Sequence, residues 1–255
     1  MKGKTALITG GTSGIGLAAA RLFLARGMNV AIAGRSAARG EEARRALLEN
    51  VSAGQGAGRV QYFSADVRSP AACRKLVKDT VDTFGGIEVL VNSAGGYLEQ
   101  AADELTEEDY ARLMDTNLKG TMFMTCFALP FLRRMKGAVV NVSSDAGLHG
   151  NYLCSLYCAS KGAVTLYTRS VAREVAADGV RVNCVCPGDI MTPLTEAQLS
   201  ASPDRNAALG AMASVYPLGR IGTAEEAAAV IAFLASSAAS YVTGAVWSVD
   251  GGLMA

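Results

Sequence analysis

Short apolar segments alternate with longer amphipathic segments along almost the whole chain of 255 residues. Nearly continuous apolar runs are typical of strands buried on both faces, and helical periodicity is typical of the segments between them. We predict strands over 5–9, 29–33, 60–64, 87–91, 138–142, 180–185 and 245–249. We predict helices over 17–26, 37–50, 70–84, 107–135, 152–177 and 224–235. Because such alternation requires parallel strands joined by helical crossovers, we predict an α/β domain: a doubly wound, seven-stranded parallel sheet with helices on both faces.

Three stretches depart from this regular alternation. A loop rich in glycine, serine and alanine is predicted over 51–58. The helix over 107–135 is long, and we expect a kink at Pro130, which lacks a backbone donor. The segment 189–222 is too long for a simple connection in a compact domain, and its larger side chains are mostly apolar. We therefore expect one domain over 1–255 in which 189–222 forms a lid over the functional site, with short helices over 195–200 and 204–215.

The composition excludes several kinds of partner. The formal net charge is +1, so we expect no electrostatic attraction to nucleic acid or to an anionic membrane. The longest purely apolar run, 227–235, is much shorter than the ~18 residues that a membrane span requires. The N-terminal stretch becomes glycine-rich too early for a secretory signal peptide. We therefore expect a cytoplasmic protein without nucleic-acid or membrane partners.

Six cysteines raise the question of a metal site. Cys154 and Cys158 are four residues apart on a predicted helix, and Cys184 and Cys186 share one side of a predicted strand. This spacing makes a zinc site conceivable. Small, buried, reduced thiols are the commoner use of cysteine in a cytosolic core, and we prefer that interpretation. We therefore predict that the protein holds no metal.

A glycine-rich turn, Gly10-Gly-Thr-Ser-Gly14-Ile-Gly16, separates the first predicted strand from the first predicted helix. Glycine lets the backbone approach a pyrophosphate closely, and the N-terminus of the following helix offers unpaired N–H groups and a partial positive charge. In a doubly wound sheet, ligands bind beyond the carboxyl ends of the strands, where this turn lies. The spacing differs from the Gly-x-Gly-x-x-Gly pattern, but the flanking strand and helix predict a dinucleotide site.

The residues after the second strand bear on the choice of nicotinamide cofactor. Proteins of this kind that use NAD(H) place an acid there to bind the ribose hydroxyls. This chain carries Gly34 and Arg35 instead, and the nearest acid is Glu41. Because a guanidinium can bind a 2′-phosphate through two hydrogen bonds, we predict a preference for NADP(H). NAD(H) is the alternative if Arg35 only stacks on the adenine, and Asp66 is expected to accept from the adenine amino group.

Tyr157 and Lys161 are four residues apart on a predicted helix, so they share a face one turn apart. A phenol ordinarily titrates near pH ~10, and a neighbouring ammonium favours the phenolate. We therefore expect a lowered pKa for Tyr157 and a proton donor and acceptor usable near neutral pH. Ser144, in the loop before this helix, can aim a hydroxyl at the same point. The alternative is an exposed amphipathic pair, which the glycine-rich turn disfavours.

Six motifs occur in one order along the chain. They are the turn from Thr9 to Gly16, Asn92-Ser-Ala-Gly95, Asn117, Ser144, Tyr157-Cys-Ala-Ser-Lys161 and Pro187-Gly-Asp-Ile-Met-Thr192. Together they resemble the short, single-domain branch of the short-chain dehydrogenase/reductase family, over the whole chain. The resemblance implies a Rossmann-type domain that transfers a hydride between a nicotinamide and an alcohol or ketone. Ser93 stands where the family usually has a second asparagine that braces the sheet.

The resemblance implies a role for each matching position. Tyr157 would be the acid and base, Lys161 would bind the nicotinamide ribose and lower the pKa of Tyr157, and Ser144 would hydrogen-bond the substrate oxygen. Ser144 is preferred to Ser143 because of its distance in sequence from the tyrosine. Asn117 would hold a water that relays protons to Lys161. The expected cofactor contacts are Gly10, Thr12, Ser13, Gly14, Ile15, Gly16, Arg35, Asp66, Val67, Asn92, Ala94, Gly95, Tyr157, Lys161, Pro187, Gly188, Ile190 and Thr192.

The substrate is less strongly indicated. The apolar lid favours a bulky, weakly polar alcohol, such as a hydroxysteroid or a bile-acid-like compound. A 3-oxoacyl thioester reductase shares all of the motifs and is the runner-up, since Arg133, Arg134 and Lys136 could meet an acidic carrier protein. Polyols and sugars come third. The candidate substrate contacts are Tyr97, Ser144, His149, Tyr152 and Tyr157. The stretch 145–152 as a whole is expected to help choose the substrate.

Two further expectations concern the protein as a whole. A dinucleotide-binding sensor without turnover is disfavoured, because such a protein would be expected to lose Tyr157 or Lys161. The stretch 122–127 is apolar on nearly every side of its predicted helix, which suggests burial against a second subunit. We therefore predict an enzyme that acts on an alcohol or ketone and forms a homo-oligomer, a tetramer.

Overall fold

The computed structural model describes residues 1–49 and 58–255. The described residues contain nine strands: β1 (Thr5–Thr9), β2 (Asn29–Gly34), β3 (Val60–Ser64), β4 (Val89–Asn92), β5 (Ala138–Val142), β6 (Arg181–Pro187), β7 (Ile190–Met191), β8 (Gly222–Thr223) and β9 (Val246–Val249). They also contain nine α-helices: α1 (Gly14–Ala25), α2 (Ala37–Glu49), α3 (Pro70–Phe84), α4 (Glu107–Met114), α5 (Gly120–Met135), α6 (Ser155–Val175), α7 (Pro193–Ser200), α8 (Arg205–Ser214) and α9 (Ala224–Leu234). The loop predicted over 51–58 lies outside the described residues except for Gly58, and so does the last residue of the helix predicted over 37–50.

Seven of the strands form one parallel sheet in the order β3-β2-β1-β4-β5-β6-β9. The chain moves outward from β1 to β2 and β3, then returns to place β4 on the other side of β1. The strand order therefore reverses between β1 and β4, and the crevice beyond their carboxyl ends is where ligands bind in such sheets. The predicted Rossmann-type α/β fold is confirmed.

Helices cover both faces of this sheet. α1, α2 and α9 lie over one face, where Phe23, Leu47 and Ile231 are buried against the strands. α3, α5 and α6 lie over the other face, where Leu76 and Met124 are buried. Because both faces are covered, β1 is buried at every position. Among the helices of the described residues, none has the length and the apolar character that crossing a membrane demands.

The predicted helix over 107–135 is interrupted, but the interruption is not at Pro130. A π-helical segment, Asp115–Lys119, joins α4 to α5, and α5 runs through Pro130 to Met135. Such segments are frequent at functional sites, because they turn side chains away from the regular helical faces. The predicted site residue Asn117 lies in the middle of this one.

The segment 189–222 contains more structure than the sequence predicts. The short helices predicted there over 195–200 and 204–215 correspond to α7 and α8. β7 pairs in parallel with β8 and so joins the two ends of the segment, a pairing that the sequence does not reveal. The side chains of Thr192 and Asp204 accept hydrogen bonds from the first turns of α7 and α8.

Candidate active site

A cavity of about 810 Å³ lies at the carboxyl edge of the parallel sheet. The turns that follow β1, β2, β4, β5 and β6 line it, together with part of the segment 189–222. The glycine-rich turn and Arg35 border one part of the cavity, and Ser144, Tyr157 and Lys161 border another. The dinucleotide site and the acid–base group that the sequence indicates separately therefore share one cavity.

Tyr157 and Lys161 stand one turn apart in α6, as their spacing predicts. The Lys161 Nζ lies 5.7 Å from the centroid of the Tyr157 ring. The same Nζ donates a hydrogen bond to the Val142 carbonyl oxygen at 3.0 Å, and Lys161 is only 6% exposed. The end of β5 thus holds the ammonium close to the phenol.

Burial controls the pKa of both side chains. It raises the pKa of Tyr157, which a hydrogen bond with Ser144 partly offsets. Burial also lowers the pKa of Lys161 to about 8. The predicted lowering of the Tyr157 pKa is therefore wrong in direction, because loss of hydration is the largest cause of the shift. Tyr157 carries its proton at neutral pH and can act as an acid.

The structure distinguishes the two adjacent serines after β5. The Ser144 hydroxyl hydrogen-bonds with Tyr157, accepts from the backbone N–H of Ala146 at 3.2 Å, and donates to Asp145 Oδ1 at 2.6 Å. The Ser143 hydroxyl instead donates to the carbonyl oxygen of Lys161 at 2.8 Å. Ser143 therefore fastens α6 to β5, and Ser144 is the hydroxyl next to the phenol.

Asn117 is buried behind Lys161. Its Oδ1 accepts from the backbone N–H of Gly96 at 2.8 Å, and its Nδ2 donates to the Gly96 carbonyl at 3.1 Å and to Ser160 Oγ at 2.9 Å. A Cβ at Gly95 would lie 3.4 Å from Lys161 Nζ and 3.5 Å from Asn117 Oδ1. The side-chain amide of Asn117 therefore links the loop after β4 to α6. A water held by Asn117 for a proton relay would lie beside this amide.

The glycine-rich turn has the shape that a pyrophosphate requires. Gly10 and Gly14 have positive φ angles of 66° and 50°, which favour glycine. A Cβ at Gly10 would come within 2.7 Å of the Ser93 carbonyl, and one at Gly14 within 3.2 Å of Thr192. Among the described residues, the Ser13 side chain makes no capping hydrogen bond to the first turn of α1, and no acidic residue lies in that turn. The N–H groups at this helix start are thus available to an anion, so the residues fit a dinucleotide.

The part of the cavity next to β2 and β3 is basic. Arg35, Ser36 and Arg39 line it, and both guanidinium groups are exposed. Asp66 also lines it, but its carboxylate is bound by Arg68 at 2.6 Å, which lowers the pKa of Asp66. The local charge is therefore positive where the second ribose of a dinucleotide would lie.

Most of the remaining predicted cofactor contacts also line the cavity. They are Thr12, Ser13, Ile15, Val67, Ala94, Gly95, Pro187, Gly188, Ile190 and Thr192. Thr192 has a second task, because its hydroxyl accepts from the Thr195 N–H at 3.4 Å and caps α7. A side chain that both caps α7 and borders the cavity couples the segment 189–222 to the site.

Three predicted contacts do not line the cavity. Asn92 points into the core, where its Nδ2 donates to Asn141 Oδ1 at 2.9 Å and to Thr125 Oγ1 at 3.1 Å. Gly16 packs against the turn, since a Cβ there would lie 2.4 Å from the Gly10 carbonyl oxygen. Tyr152 points to solvent with 88% of its surface exposed. Each misplacement depends on how an element is oriented, which the motifs do not record.

The other two predicted substrate contacts do border the cavity. Tyr97 packs edge-on against Tyr157, with ring centroids 5.0 Å apart, and its hydroxyl donates to Glu99 at 3.0 Å. His149 lies with Nε2 3.3 Å from Asp145 Oδ2. The side of the cavity near Tyr157 is therefore walled by an aromatic ring and by the loop that carries His149.

Sequence reasoning gave no individual role to three polar side chains on this side of the cavity, although two of them lie in the stretch 145–152 that it expected to help choose the substrate. They are Asp145, Asn151 and Asp189. Asp145 is 8% exposed and directly follows Ser144, which is a signal that could have found it. Burial raises the pKa of Asp189, and a hydrogen bond with Tyr216 partly offsets this rise. The cavity wall near Ser144 is therefore acidic, whereas the apolar side chains of the lid suggested an apolar wall.

The six cysteines are all free thiols. Cys184 and Cys186 are buried side by side in β6 with their sulfurs 4.0 Å apart, and Cys154 and Cys158 lie near the start of α6. Within residues 1–49 and 58–255, no three His, Cys, Asp or Glu side chains gather as ligands for a metal. The absence of a metal stays a prediction.

Comparison with known proteins places this geometry in a family. A family model described as enoyl-(acyl carrier protein) reductase, of the short-chain dehydrogenase/reductase type, matches residues 10–254. The chain is 38% identical over 251 residues to an L-fucose dehydrogenase of Bos taurus, covering 98% of this chain and 89% of the relative. It is 38% identical over 256 residues to a 3-oxoacyl-[acyl-carrier-protein] reductase of Thermotoga maritima, covering 100% and 99%. The crystal structure of Cj0485 dehydrogenase superposes with a TM-score of 0.91 at 32% identity, covering 99% of this chain and 94% of that one.

The chain therefore belongs to the short-chain dehydrogenase/reductase family. It is an oxidoreductase, an alcohol dehydrogenase or ketoreductase that acts on CH–OH groups. Its family uses NAD(P)(H) as the cofactor, in agreement with the fit of the glycine-rich turn.

Proposed function

We propose that this protein interconverts an uncharged secondary alcohol and its ketone with NADP(H). The observation that carries the proposal is the presence of Tyr157, Ser144 and Lys161 in the same cavity as the glycine-rich turn and Arg35. In this proposal the segment 189–222 acts as the lid, because the side chains of Leu194 and Val215 border the cavity. The whole chain then works as one domain.

The reaction needs little chemistry from the protein besides proton transfer. The nicotinamide supplies or accepts the hydride when it is bound. In reduction, the Tyr157 phenol donates its proton to the carbonyl oxygen. Ser144 donates to the same oxygen when its hydroxyl proton turns from Asp145 to the substrate. Lys161, with a pKa of about 8, is mostly charged at pH 7 and stabilises the phenolate that Tyr157 becomes. In oxidation the same proton returns to Tyr157.

The preference for NADP(H) is supported by the charge around the second ribose position. Arg35 and Arg39 both border it, whereas Asp66, the acid that lines this part among the described residues, is neutralised by Arg68. A 2′-phosphate would meet two guanidinium groups, which bind phosphate through paired hydrogen bonds. NAD(H) lacks that phosphate and would gain nothing from them.

The cavity wall supports a choice between substrate classes that the relatives do not. L-fucose dehydrogenase and the 3-oxoacyl reductase are equally similar to this chain, at 38% identity. A hydroxysteroid would suit Leu194 and Val215, but it would bring apolar surface against Asp145 and Asp189. We therefore favour a polar, uncharged, hydroxylated substrate, which moves polyols and sugars ahead of the hydroxysteroid and the acyl thioester.

Tyr157→Phe tests the reaction. The variant should lower kcat by at least about a thousandfold, since it loses its proton donor, and should bind NADPH with nearly unchanged affinity. Turnover is followed by nicotinamide absorbance with a panel of alcohols and ketones, and binding by the change in NADPH fluorescence. Tyr241→Phe, at a fully exposed tyrosine, is the control. Normal turnover by Tyr157→Phe would contradict the mechanism.

A further inference from the structure

A carboxylate lies on the cavity wall one residue beyond the proposed catalytic serine. Asp145 borders the cavity beside Ser144 and Tyr157, and it is 8% exposed. Its Oδ1 is 2.6 Å from Ser144 Oγ, which donates the hydrogen bond. A buried carboxylate is costly unless its lone pairs are used, so its partners need to be counted.

The partners of Asp145 leave acceptor capacity unused. A carboxylate offers about four lone-pair positions. Among the described residues, Ser144 makes a short hydrogen bond to Oδ1, while His149 Nε2 and Asn151 Nδ2 lie at 3.3 and 3.4 Å from Oδ2. Both contacts to Oδ2 are near the upper limit of hydrogen bonding. At least one more donor can therefore bind, and the cavity is the side from which it would come.

The position of this free acceptor relative to the reacting oxygen is defined by Ser144. The substrate oxygen lies within reach of both Tyr157 and Ser144 in the proposed reaction. Asp145 Oδ1 is one hydrogen-bond length beyond Ser144 Oγ. Two oxygens on neighbouring carbons are separated by a similar distance, so a substrate hydroxyl next to the reacting carbon falls within reach of Asp145.

We propose that Asp145 is a specificity residue that accepts a hydrogen bond from a second substrate hydroxyl, on the carbon next to the one that is oxidised. The substrate class is then the vicinal diols, which include the cyclic forms of aldoses. This inference rests on the proposed function and adds the identity of the group that Asp145 binds. In the reverse direction the same residue binds the hydroxyl next to the carbonyl of an α-hydroxyketone or, for an aldose that is oxidised at C1, of the lactone.

The charges around the site agree with a neutral hydroxyl donor. Asp145 and Asp189 both border the side of the cavity near Tyr157. Among the described residues that line this side, the cationic one is Lys161. An anionic substrate, such as a hydroxy acid, would meet two carboxylates there. A hydroxyl group donates to a carboxylate without adding charge, and such a hydrogen bond is stronger than a neutral one.

A purely structural role for Asp145 is the competing explanation. Its backbone carbonyl accepts from the N–H groups of Leu148 and His149 at 2.7 and 3.2 Å, so the residue also shapes the loop 145–151. The backbone contacts survive a change of side chain. Asp145→Asn keeps the size of the side chain and an oxygen for Ser144, and it removes the charged acceptor. The variant therefore separates substrate binding from loop shape.

The experiment compares matched alcohols that differ by one hydroxyl. The pairs are 2,3-butanediol with 2-butanol, 1,2-cyclohexanediol with cyclohexanol, and an aldohexose with its 2-deoxy analogue. kcat/KM is measured for wild type, Asp145→Asn and Asp82→Asn, with both nicotinamides. Asp82 lies on the exposed side of α3, so its variant makes the same chemical change away from the cavity. Melting temperature and NADPH binding check that each variant is folded.

We expect wild type and Asp82→Asn to prefer the vicinal hydroxyl by at least about tenfold in one or more pairs. In Asp145→Asn this preference should fall by about tenfold or more, through loss of activity on the diol, while the mono-alcohol changes little. Equal losses on both members of each pair would show a structural role and overturn the inference. Equal use of both members by wild type would also overturn it and leave the proposed function standing. If wild type uses none of the alcohols, the proposed function fails and this inference fails with it.

Discussion

Tyr157 and Lys161 titrate away from their ordinary values in opposite directions, and burial causes both shifts. The pKa of Tyr157 is raised and that of Lys161 is lowered to about 8. A buried group resists its charged form, which is the phenolate for tyrosine and the ammonium for lysine. The pair thus holds a neutral phenol beside an ammonium that is easily deprotonated. Both properties can be measured at single residues.

Lys161 should make stability depend on pH. Its folded pKa of about 8 lies below the unfolded value of about 10.4, so between these values the unfolded chain binds more protons. Stability from this group is therefore lowest below pH 8 and rises between pH ~8 and ~10, by at most about 1.4 kcal/mol per pH unit. Urea unfolding of wild type and Lys161→Met, at about pH 8.0 and about pH 9.5, measures this change in unfolding free energy.

The quantity to compare is the difference in unfolding free energy between the two proteins. Other groups, such as Cys73 with its raised pKa, are common to both and cancel. The difference should move in favour of wild type as the pH rises. A difference that is constant across the range would mean that Lys161 keeps its ordinary pKa in the folded state.

Arg35 should discriminate between the two nicotinamide cofactors. Arg35→Ala removes a guanidinium that borders the proposed second ribose position, and should raise KM for NADP(H) by about 10- to 100-fold. KM for NAD(H) should change by less than about threefold, because no phosphate is lost from that contact. Steady-state kinetics with both cofactors test this, with the exposed Arg169→Ala as control. Equal effects on the two cofactors would remove the argument for NADP(H).

At the scale of elements, the start of α1 depends on a close approach of backbone to backbone. The turn after β1 brings the Gly10 carbonyl so near to α1 that Gly16 has no room for a side chain. This approach aims the first turn of α1 at the cavity. The π-helical segment 115–119 has a comparable effect, because it turns Asn117 inward between α4 and α5.

Gly16→Ala should therefore lower both stability and cofactor affinity. The added Cβ would lie 2.4 Å from the Gly10 carbonyl oxygen, and relieving that overlap should cost about 1–3 kcal/mol of unfolding free energy. Gly210→Ala is the matched control, since α8 has open space at that position and alanine favours a helix by about 0.5–1 kcal/mol. Urea unfolding and NADPH titration measure the two effects. A Gly16→Ala protein as stable as wild type would show that α1 can shift freely.

At the scale of the whole molecule, apolar side chains remain on the outer face of α4, α5 and α6. Tyr110, Met122 and Leu166 are exposed there, and Leu166 is 67% exposed. Leu166 sits next to Tyr167, whose hydroxyl donates to the Met122 carbonyl at 3.4 Å, so α5 and α6 share this face. Exposed apolar side chains on neighbouring helices are typical of subunit contacts, as the sequence of α5 suggests.

We predict that the protein is a homotetramer in solution and that Leu166→Glu weakens it. A charge in an apolar interface loses its hydration without a partner, which should shift the assembly toward smaller species. Light scattering with size exclusion at micromolar concentration measures the mass of both proteins. Leu48→Glu changes an exposed leucine of α2 and is the control. A monomeric wild type would contradict the prediction.

The fold and the reaction class could be predicted because their signals are local in the sequence. Buried strands read as short apolar runs, and the spacing of Tyr157 and Lys161 becomes a shared helix face through the geometry of one turn. The glycine-rich turn predicts a dinucleotide site from backbone conformation alone, because glycines in sequence indicate where the backbone adopts unusual conformations. None of these inferences requires knowledge of which elements pack together.

Tertiary structure decided what depends on orientation and on burial. Asn92 turns into the core and Tyr152 into solvent, although both belong to segments that the motifs identify. The pairing of β7 with β8 joins residues far apart in the chain, and the pKa of Tyr157 rises because packing removes its water. Packing also places the Asp145 side chain on the cavity wall. A sequence records which chemical groups are present, whereas their direction, hydration and partners are set only when distant segments pack against each other.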